Sequence, residues 1–256
     1  MRRTSCAPGR ARTPPPDSLD AMLRPMVDPG AASPPAGAKG EVRLLAPQRS
    51  EQAVARRSAE SRATVPDLEL AAEVEVDRVL ALEAEHGCGL TAILMRACAL
   101  ALRDVPRANA AYRDGSFELY SRINIGVVVA DDDAYTIPTV FDADKRSLSE
   151  LAAELTRVTE RALSGELSSP ELSGATFTLW DLGPLAVSRA TPLVVAPQAA
   201  AGSTGAVREV ALVRDASLVA GRAITITLAC DHRILYGSQA ARFLNRITTL
   251  IEEGTL

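Results

Sequence analysis

The sequence predicts an α+β domain built on a mixed or antiparallel sheet. Helical and strand-like stretches follow one another without a regular strand-helix alternation, which argues against a doubly wound parallel sheet. The chain has 256 residues, of which 47% are hydrophobic, enough to supply a sizeable core. It contains no glycine-rich phosphate fingerprint and no internal repeat.

Composition narrows the classes of function. The net charge of −4 leaves no basic footprint, so we expect no nucleic-acid partner. No apolar run approaches the roughly 20 residues of a membrane span, so we expect no membrane partner either. The four cysteines are widely spaced and follow no signal peptide, which predicts free thiols in a reducing cytoplasm.

Residues 1–39 hold most of the prolines, mixed with Ala, Gly, Arg and Ser. Such a stretch cannot bury enough apolar surface to offset its ordering entropy, so we predict a disordered arm there. A tether to a partner is the alternative, because Pro/Ala-rich segments act as semi-rigid spacers. We expect the folded domain to cover residues 40–256.

The first half of that domain reads as three helices around a strand. Apolar periodicity and the stop at Pro66 predict a helix over residues 48–62, and alternating acidic and apolar residues predict a strand over 68–76. A short helix over 78–86 closes at Gly87. The helix over 91–102 is apolar nearly all round, so it should lie in the core.

The second half reads mainly as strands. Ser147-Leu148-Ser149-Glu150 is a capping box that opens a helix ending near Leu163, and an amphipathic pattern predicts the last helix over 238–253. The triple aspartate at 131–133 has no companion ligands at defined spacing, so a solvated hairpin turn is favoured over a metal site. Strands are predicted over residues 117–120, 123–130, 136–141, 176–180, 194–195, 206–213 and 223–230.

One of only two histidines lies in the heptapeptide Asp231-His232-Arg233-Ile234-Leu235-Tyr236-Gly237. The heptapeptide joins the last predicted strand to the last predicted helix, and a turn of that kind presents a side chain outward. A neutral imidazole there can take and return a proton near pH 7. We predict that His232 is a general base. A surface or capping histidine is the alternative, and it is the better interpretation of the other one, His86.

These residues resemble a known family. Asp231-His232-Arg233 with Gly237 is similar to the Asp-His-Arg-x-x-x-Gly signature of the 2-oxoacid dehydrogenase acyltransferase catalytic domain, the dihydrolipoyl acyltransferases, which are related to chloramphenicol acetyltransferase. The resemblance runs collinearly from about Gly40 to Leu256. It also includes the segments 90–106, 124–127, 142–148, 176–183 and 197–200.

The resemblance implies a chloramphenicol acetyltransferase-like fold, with a mixed β-sheet and flanking helices, and a homotrimer with its active site at the subunit interface. His232 would deprotonate the attacking thiol or hydroxyl, and a serine or threonine of the neighbouring subunit would hold the oxyanion. Acetyl-CoA would be a co-substrate, with no bound cofactor and no metal. Thr178, Asp181, Arg233 and Gly237 are the substrate-binding candidates.

Two positions depart from the family pattern. The oxyanion serine should fall at Trp180, and the Asp or Asn four residues after the histidine falls at Tyr236. The indole N–H and the phenol are both donors, so either residue is a candidate catalytic replacement that also reshapes the pocket. A degenerate enzyme is the alternative, because loss of an oxyanion donor typically costs on the order of 10²–10³ in rate.

These departures, and the lack of a recognisable lipoyl domain, favour a stand-alone acetyltransferase. We expect it to acetylate a hydroxyl of a small-molecule acceptor, as in the tetronate-type polyketide branch. The alternatives are a dihydrolipoyl acyltransferase core of a 2-oxoacid dehydrogenase complex, or a catalytically silent structural subunit of one. Four basic residues, Arg57, Lys145, Arg146 and Arg233, are candidates for CoA phosphates, although surface or salt-bridge roles are favoured for each.

Overall fold

The computed structural model describes Gly40 and residues 42–130 and 135–256. The chain divides into two units, Met1–Gln48 and Arg49–Leu256. In the first unit, the described residues 42–48 form neither helix nor strand. The predicted disordered arm over residues 1–39 and the predicted turn at 131–133 lie outside the described residues. All elements below belong to the second unit.

Every predicted helix is confirmed to within two residues at each end. Ser147 caps its helix as expected: its Oγ accepts from Glu150 N–H at 3.3 Å, and its N–H donates to the Glu150 carboxylate at 2.8 Å. The sequence did not predict the five-residue helix at Ser169–Ser173. The helices are α1 Arg49–Thr64, α2 Asp77–His86, α3 Leu90–Asp104, α4 Leu148–Leu163, α5 Ser169–Ser173 and α6 Gly237–Glu253.

A seven-stranded mixed sheet forms the centre, which confirms the predicted α+β class. Its strands are β1 Asp67–Glu75, β4 Ile125–Val127, β7 Thr139–Val140, β8 Phe177–Asp181, β9 Ala200–Thr204, β10 Arg208–Arg214 and β11 Ser217–Asp231. Their order across the sheet is β1-β11-β9-β8-β4-β7, and β10 also pairs with β11. The β4-β8 and β8-β9 pairs are parallel and the others antiparallel. Two separate ribbons are β2 Ala110–Arg113 with β3 Ser116–Leu119, and β5 Val129–Ala130 with β6 Tyr135–Thr136.

Several strand predictions were wrong. Strand β9 was missed because its Ala-Ala-Gly-Ser-Thr sequence has a single β-branched residue, Thr204, and no aromatic residue to mark a strand, although all five residues are buried. Residues 194–195 lie in a loop instead. The predicted strand over 123–130 is divided into β4 and β5, and the one over 136–141 into β6 and β7.

The core lies between helices and one face of the sheet. Ten residues of α3 are buried, which confirms its predicted place in the core. Alternate residues of β8, Phe177 and Leu179, face the same cluster, as the two-residue period of a strand requires. The Phe177 ring packs edge-on against Phe243 of α6, with 5.9 Å between centroids.

The opposite face of the sheet is more polar and carries the loop before β9. Thr178 donates to Gln198 Oε1 at 2.7 Å, and Ser203 donates to the Ala190 carbonyl at 2.5 Å. The residues of β8 that point to this face are Thr178 and Trp180, because they alternate with the core residues. None of the described helices is both long and apolar enough to cross a membrane.

The Glu171 carboxylate in α5 makes hydrogen bonds and ion pairs whose contribution to the stability of the fold can be tested. Its carboxylate accepts from Ser168 N–H and Oγ–H at 2.8 and 2.6 Å, and from Arg157 and Arg161 at 3.1 and 2.7 Å. These donors, those of Ser168 first, lower the pKa of Glu171 to about 2. A lowered pKa stabilises the fold above the pKa of about 4.5 expected in the unfolded chain, and this contribution disappears as the pH falls towards 2.

We expect Glu171→Gln to lower the free energy of unfolding at pH 7 by on the order of 1 kcal/mol, and by clearly less at pH 3. Denaturant unfolding at the two pH values measures the difference. Glu118→Gln is the control, because Glu118 forms only an exposed pair with Arg113 at 3.4 Å, and such pairs contribute little. A Glu171 effect of equal size at both pH values would contradict the expectation.

Candidate active site

His232 lies in the turn between β11 and α6. The Asp231 carbonyl accepts from the N–H groups of Ile234 and Leu235, both at 2.9 Å, and His232 N–H donates to the Pro66 carbonyl at 2.9 Å. Ile234 and Leu235 are fully buried and anchor the turn in the core. Their burial leaves the His232 side chain exposed, so the turn presents the imidazole outward, as predicted.

An ion pair between a buried aspartate and a partly exposed arginine braces this turn. Asp231 is only 1% exposed, and its carboxylate accepts from Arg233 Nε at 2.9 Å, from Arg233 Nη2 at 2.6 Å and from the Arg233 backbone N–H at 3.0 Å. Hydrogen bonding to Asp231 raises the pKa of Arg233. The guanidinium also stacks over the Tyr112 ring, with Cζ 4.8 Å from its centroid. Arg233 was predicted to bind substrate or CoA phosphates; its Nε and Nη2 are engaged with Asp231, and the binding role stays a prediction.

Tyr236 is the second candidate that the structure brings to this place. It is the N-cap residue of α6, it is 49% exposed, and its ring centroid lies 6.1 Å from that of the imidazole. Gly237 follows at the start of the helix, where an added Cβ would meet no atom within 4 Å. The structure therefore gives no steric reason for a glycine at 237.

Trp180 and Asp181 lie at the other end of the β8-β9 ladder from the histidine turn, whereas Thr178 pairs with Ala201, one residue from the partner of Cys230. In the β9 ladders, Cys230 pairs with Ala200, whereas Trp180 pairs with Ser203. Three residues of β9 therefore separate the two ends, on the order of 10 Å along the strand at about 3.3 Å per residue. His232 extends beyond Cys230 and adds to that distance. Within one chain, His232 and Trp180 are not brought together.

Trp180 offers no exposed donor in this conformation. Its indole Nε1 is buried and has no hydrogen-bond partner among the described residues. The Tyr135 ring packs against the indole in an edge-to-face manner, with 5.2 Å between centroids. The place predicted for an oxyanion-binding hydroxyl therefore holds an aromatic group whose N–H is shielded.

Thr178 and Asp181 are occupied by contacts within the chain. The Thr178 hydroxyl bonds to Gln198, as described above. The Asp181 carboxylate accepts from Thr91 at 2.5 Å, from Thr204 at 3.0 Å and from Gly183 N–H at 3.1 Å. Asp181 thus joins the end of β8 to the start of α3 and to β9. Substrate binding by Thr178 or Asp181 stays a prediction.

Of the other predicted anion ligands, Arg146 donates to the Phe141 carbonyl at 2.9 Å and Lys145 to Asp142 at 3.3 Å. Arg57 lines a cavity of about 250 Å³ together with Pro197 and Gln198. Across the described parts of the chain, no three His, Cys, Asp or Glu side chains are grouped closely enough to hold a metal ion.

Sequence reasoning missed one residue beside the histidine turn. Arg107 lies in a short 3₁₀ turn, Pro106–Ala108, and its Cζ is 5.6 Å from the Tyr236 ring centroid and 4.3 Å from that of Phe117. No local signal marks it, because the contacts join segments that are far apart in sequence. Only the folded chain shows the cluster.

Comparison with solved structures defines the class of this fold. The cubic core of the pyruvate dehydrogenase multienzyme complex matches with a TM-score of 0.80 at 26% identity, over 87% of this chain and 97% of that one. The dihydrolipoamide acetyltransferase of Azotobacter vinelandii, investigated for the roles of a serine, a histidine and an asparagine in its mechanism, matches with a TM-score of 0.81 at 24% identity. That match covers 88% of this chain and 98% of the Azotobacter chain.

The chain belongs to the family of 2-oxoacid dehydrogenases acyltransferase (catalytic domain), whose sequence model matches residues 41–256. This confirms the resemblance found in the sequence and, at the level of the family, the prediction of an acyltransferase. One relative is the dihydrolipoyllysine-residue acetyltransferase component of the pyruvate dehydrogenase complex of Rickettsia typhi. It is 29% identical over 226 residues, which are 84% of this chain and 56% of the relative. The chain thus spans about half the length of that relative.

These matches correct two expectations. A stand-alone acetyltransferase of polyketide biosynthesis was expected, with a small-molecule acceptor as its partner, and both expectations are wrong. The relatives are components of 2-oxoacid dehydrogenase complexes. The aromatic residues at 180 and 236 change the shape and donors of two positions, but they do not identify an acceptor, and they were given too much weight.

The Asp231–Arg233 pair gives the test of this site. We expect Asp231→Asn to lower the free energy of unfolding by about 1–3 kcal/mol, because the buried carboxylate of Asp231 loses its charge-assisted hydrogen bonds to Arg233. Denaturant unfolding measures it. Asp104→Asn is the matched control, since Asp104 pairs with Arg246 at 2.7 Å on the surface and should cost less than about 1 kcal/mol. Equal losses in the two variants would contradict the bracing role.

Proposed function

We propose that residues 41–256 form a dihydrolipoyl acyltransferase core of a 2-oxoacid dehydrogenase complex. In this proposal the reaction moves an acetyl group between a dihydrolipoyl-lysine thiol and CoA. The Rickettsia relative, which is named a dihydrolipoyllysine-residue acetyltransferase, supports the choice of dihydrolipoyl-lysine. The observation that carries the proposal is the exposed His232, held on a braced turn in a chain of this family.

The proposed chemistry follows from an imidazole exposed at that turn. His232 accepts the proton of the CoA thiol as the sulfur attacks the carbonyl carbon of the acetyl-dihydrolipoyl thioester. A tetrahedral intermediate forms, and its collapse breaks the bond from carbon to the lipoyl sulfur. The leaving lipoyl sulfur takes the proton from the imidazolium. The products are acetyl-CoA and dihydrolipoyl-lysine, and His232 is returned to its neutral form.

The separation of His232 and Trp180 supports a site shared between copies of the chain. Two groups at opposite ends of β9 cannot act on one thioester from the same subunit, whereas adjoining subunits can place one end beside the other. We therefore propose a homotrimer with its active site at the subunit interface. The match to a cubic core supports a further assembly of such trimers.

The spacing of three residues supports the assignment of positions. In the Azotobacter protein, the investigated serine and histidine are 52 residues apart, and the asparagine follows the histidine by four. Trp180, His232 and Tyr236 have the same spacing here. We propose His232 as the catalytic base, with Trp180 and Tyr236 at the other two positions.

A second candidate function is a core subunit with little or no turnover. The observation that favours it is the shielded indole N–H of Trp180, which leaves no visible oxyanion donor at that position. A subunit of this kind would keep the contacts of the assembly. Cytoplasmic location also stays a prediction.

His232→Ala tests the proposed base. We expect kcat for acetyl transfer from acetyl-CoA to dihydrolipoamide to fall by about 10²–10⁴, the usual contribution of a positioned general base. The release of free CoA measures the rate. His86→Ala is the matched control, because His86 is exposed in the last turn of α2 and should leave the rate unchanged. A His232→Ala rate within twofold of wild type would overturn the mechanism.

Trp180→Ser separates the two candidate functions. If Trp180 occupies the oxyanion position of an acyltransferase, the serine hydroxyl should raise kcat, by up to the roughly 10²–10³ that one such donor contributes. Trp180→Phe is the companion variant: it keeps the bulk and removes the N–H, and we expect it to leave the rate unchanged. No gain with serine would favour the structural subunit, and a large loss with phenylalanine would make the indole itself the donor.

A further inference from the structure

The Arg107 side chain carries a charge that no acidic side chain of the described residues neutralises. Its Nε and one terminal nitrogen are shielded from solvent and lack any hydrogen-bond partner in the described part of the chain. The guanidinium is instead held between the rings of Phe117 and Tyr236, by cation-π attraction. Buried donors without acceptors are rare in folded proteins, so this arginine requires an explanation.

Arg107 lines a cavity of about 240 Å³ that has a surplus of positive charge. The cavity contains one carboxylate, Asp104, which is already paired with Arg246. It contains a second guanidinium, Arg242, whose Nε donates to the Ser238 carbonyl at 3.3 Å and which pairs with no described carboxylate. The lining residues are Asp104, Val105, Pro106, Arg107, Gln239 and Arg242.

The start of α6 adds to the positive electrostatic potential in this cavity. Gln239 and Arg242 belong to the first two turns of this 17-residue helix. The Gln239 N–H donates to the Tyr236 carbonyl at 2.9 Å, so this end of the helix contributes through its dipole, which places partial positive charge there. Two cations and a helix N-terminus thus border one cavity, an arrangement that favours an anion.

We propose that this Arg107 cavity is an oxyanion-binding subsite beside the catalytic base. The Tyr236 ring lies between the two, 5.6 Å from Arg107 Cζ and 6.1 Å from the imidazole. Because the inference rests on the proposed acyltransferase function, the oxyanion is a phosphate group of CoA or a carboxylate at the end of a dicarboxylic acyl chain. Arginine suits both, since its planar donors match either group.

The first experiment measures CoA binding without turnover. Calorimetric titration gives Kd for CoA and for pantetheine, which has the thiol but no phosphate, with wild type, Arg107→Met and Arg107→Lys. We expect Arg107→Met to weaken CoA binding about tenfold or more and to leave pantetheine unchanged, with Arg107→Lys between, because one charge-assisted contact is lost. Arg103→Gln is the control: it removes an equal charge from the last turn of α3, at a residue that does not line the cavity.

The second experiment tests whether the bound oxyanion is the carboxylate of a dicarboxylic acyl chain rather than a phosphate of CoA. If CoA binding is unchanged but the ratio of KM for succinyl-CoA to KM for acetyl-CoA rises in Arg107→Met, the subsite takes the acyl carboxylate. Arg242→Gln, which leaves the stack around Arg107 intact, should shift the same measurement in the same direction. If Arg107→Met does not fold, Arg242→Gln still tests the subsite.

Two outcomes would overturn the subsite: equal weakening of CoA and pantetheine in Arg107→Met, or no change in any of these measurements. The proposed function fails separately. A wild-type protein that binds inorganic pyrophosphate through Arg107, but shows no transfer that depends on His232, would keep the subsite and refute the acyltransferase.

Discussion

The register of strand β11 is the constraint on which the rest of the site depends. The second half of β11 pairs with β1 on one edge and with β9 on the other. The end of β11 at Asp231 determines where the histidine turn begins. Since β9 runs antiparallel to β11 and parallel to β8, the ends of β8 and β11 must point in opposite directions. The distance between Trp180 and His232 is therefore fixed by topology, and no side-chain rearrangement within one subunit can close it.

In the histidine turn, the residues that hold the backbone are different from the residue proposed to react. Asp231 and Arg233 neutralise each other beside His232, and the buried Ile234 and Leu235 hold the backbone. His232 keeps only its main-chain bond to Pro66 among the described residues, so its ring is left free to exchange a proton. A base that must accept and return a proton in each cycle benefits from this arrangement, because the neighbouring charges are fixed and do not compete for its nitrogen atoms.

Elements with strong periodicity were predictable from sequence, and so was the position of His232. Helix α3 is apolar nearly all round, β1 alternates, and Ser147 begins a capping box, so each carries its own local signal. Strand β9 carries none, because its small residues owe their place to ladders with β8 and β11. Arg107 is similar: its contacts with Phe117 and Tyr236 arise only when the β2-β3 ribbon is folded against the start of α6. Local reasoning located the histidine turn but not the charges around it.

The two departures from the family pattern belong to different surroundings. Trp180 lies against Tyr135 with its N–H shielded, so its substitution for serine removes a donor and adds bulk. Tyr236 stays half exposed between His232 and Arg107, and it links the base to a cavity with surplus positive charge. The Arg107 guanidinium has two shielded nitrogens without a hydrogen-bond partner among the described residues, and burying a charge without a partner costs free energy. A bound oxyanion would offset that cost, so the proposed subsite gives the Arg107 charge a role that the contacts within the single chain do not.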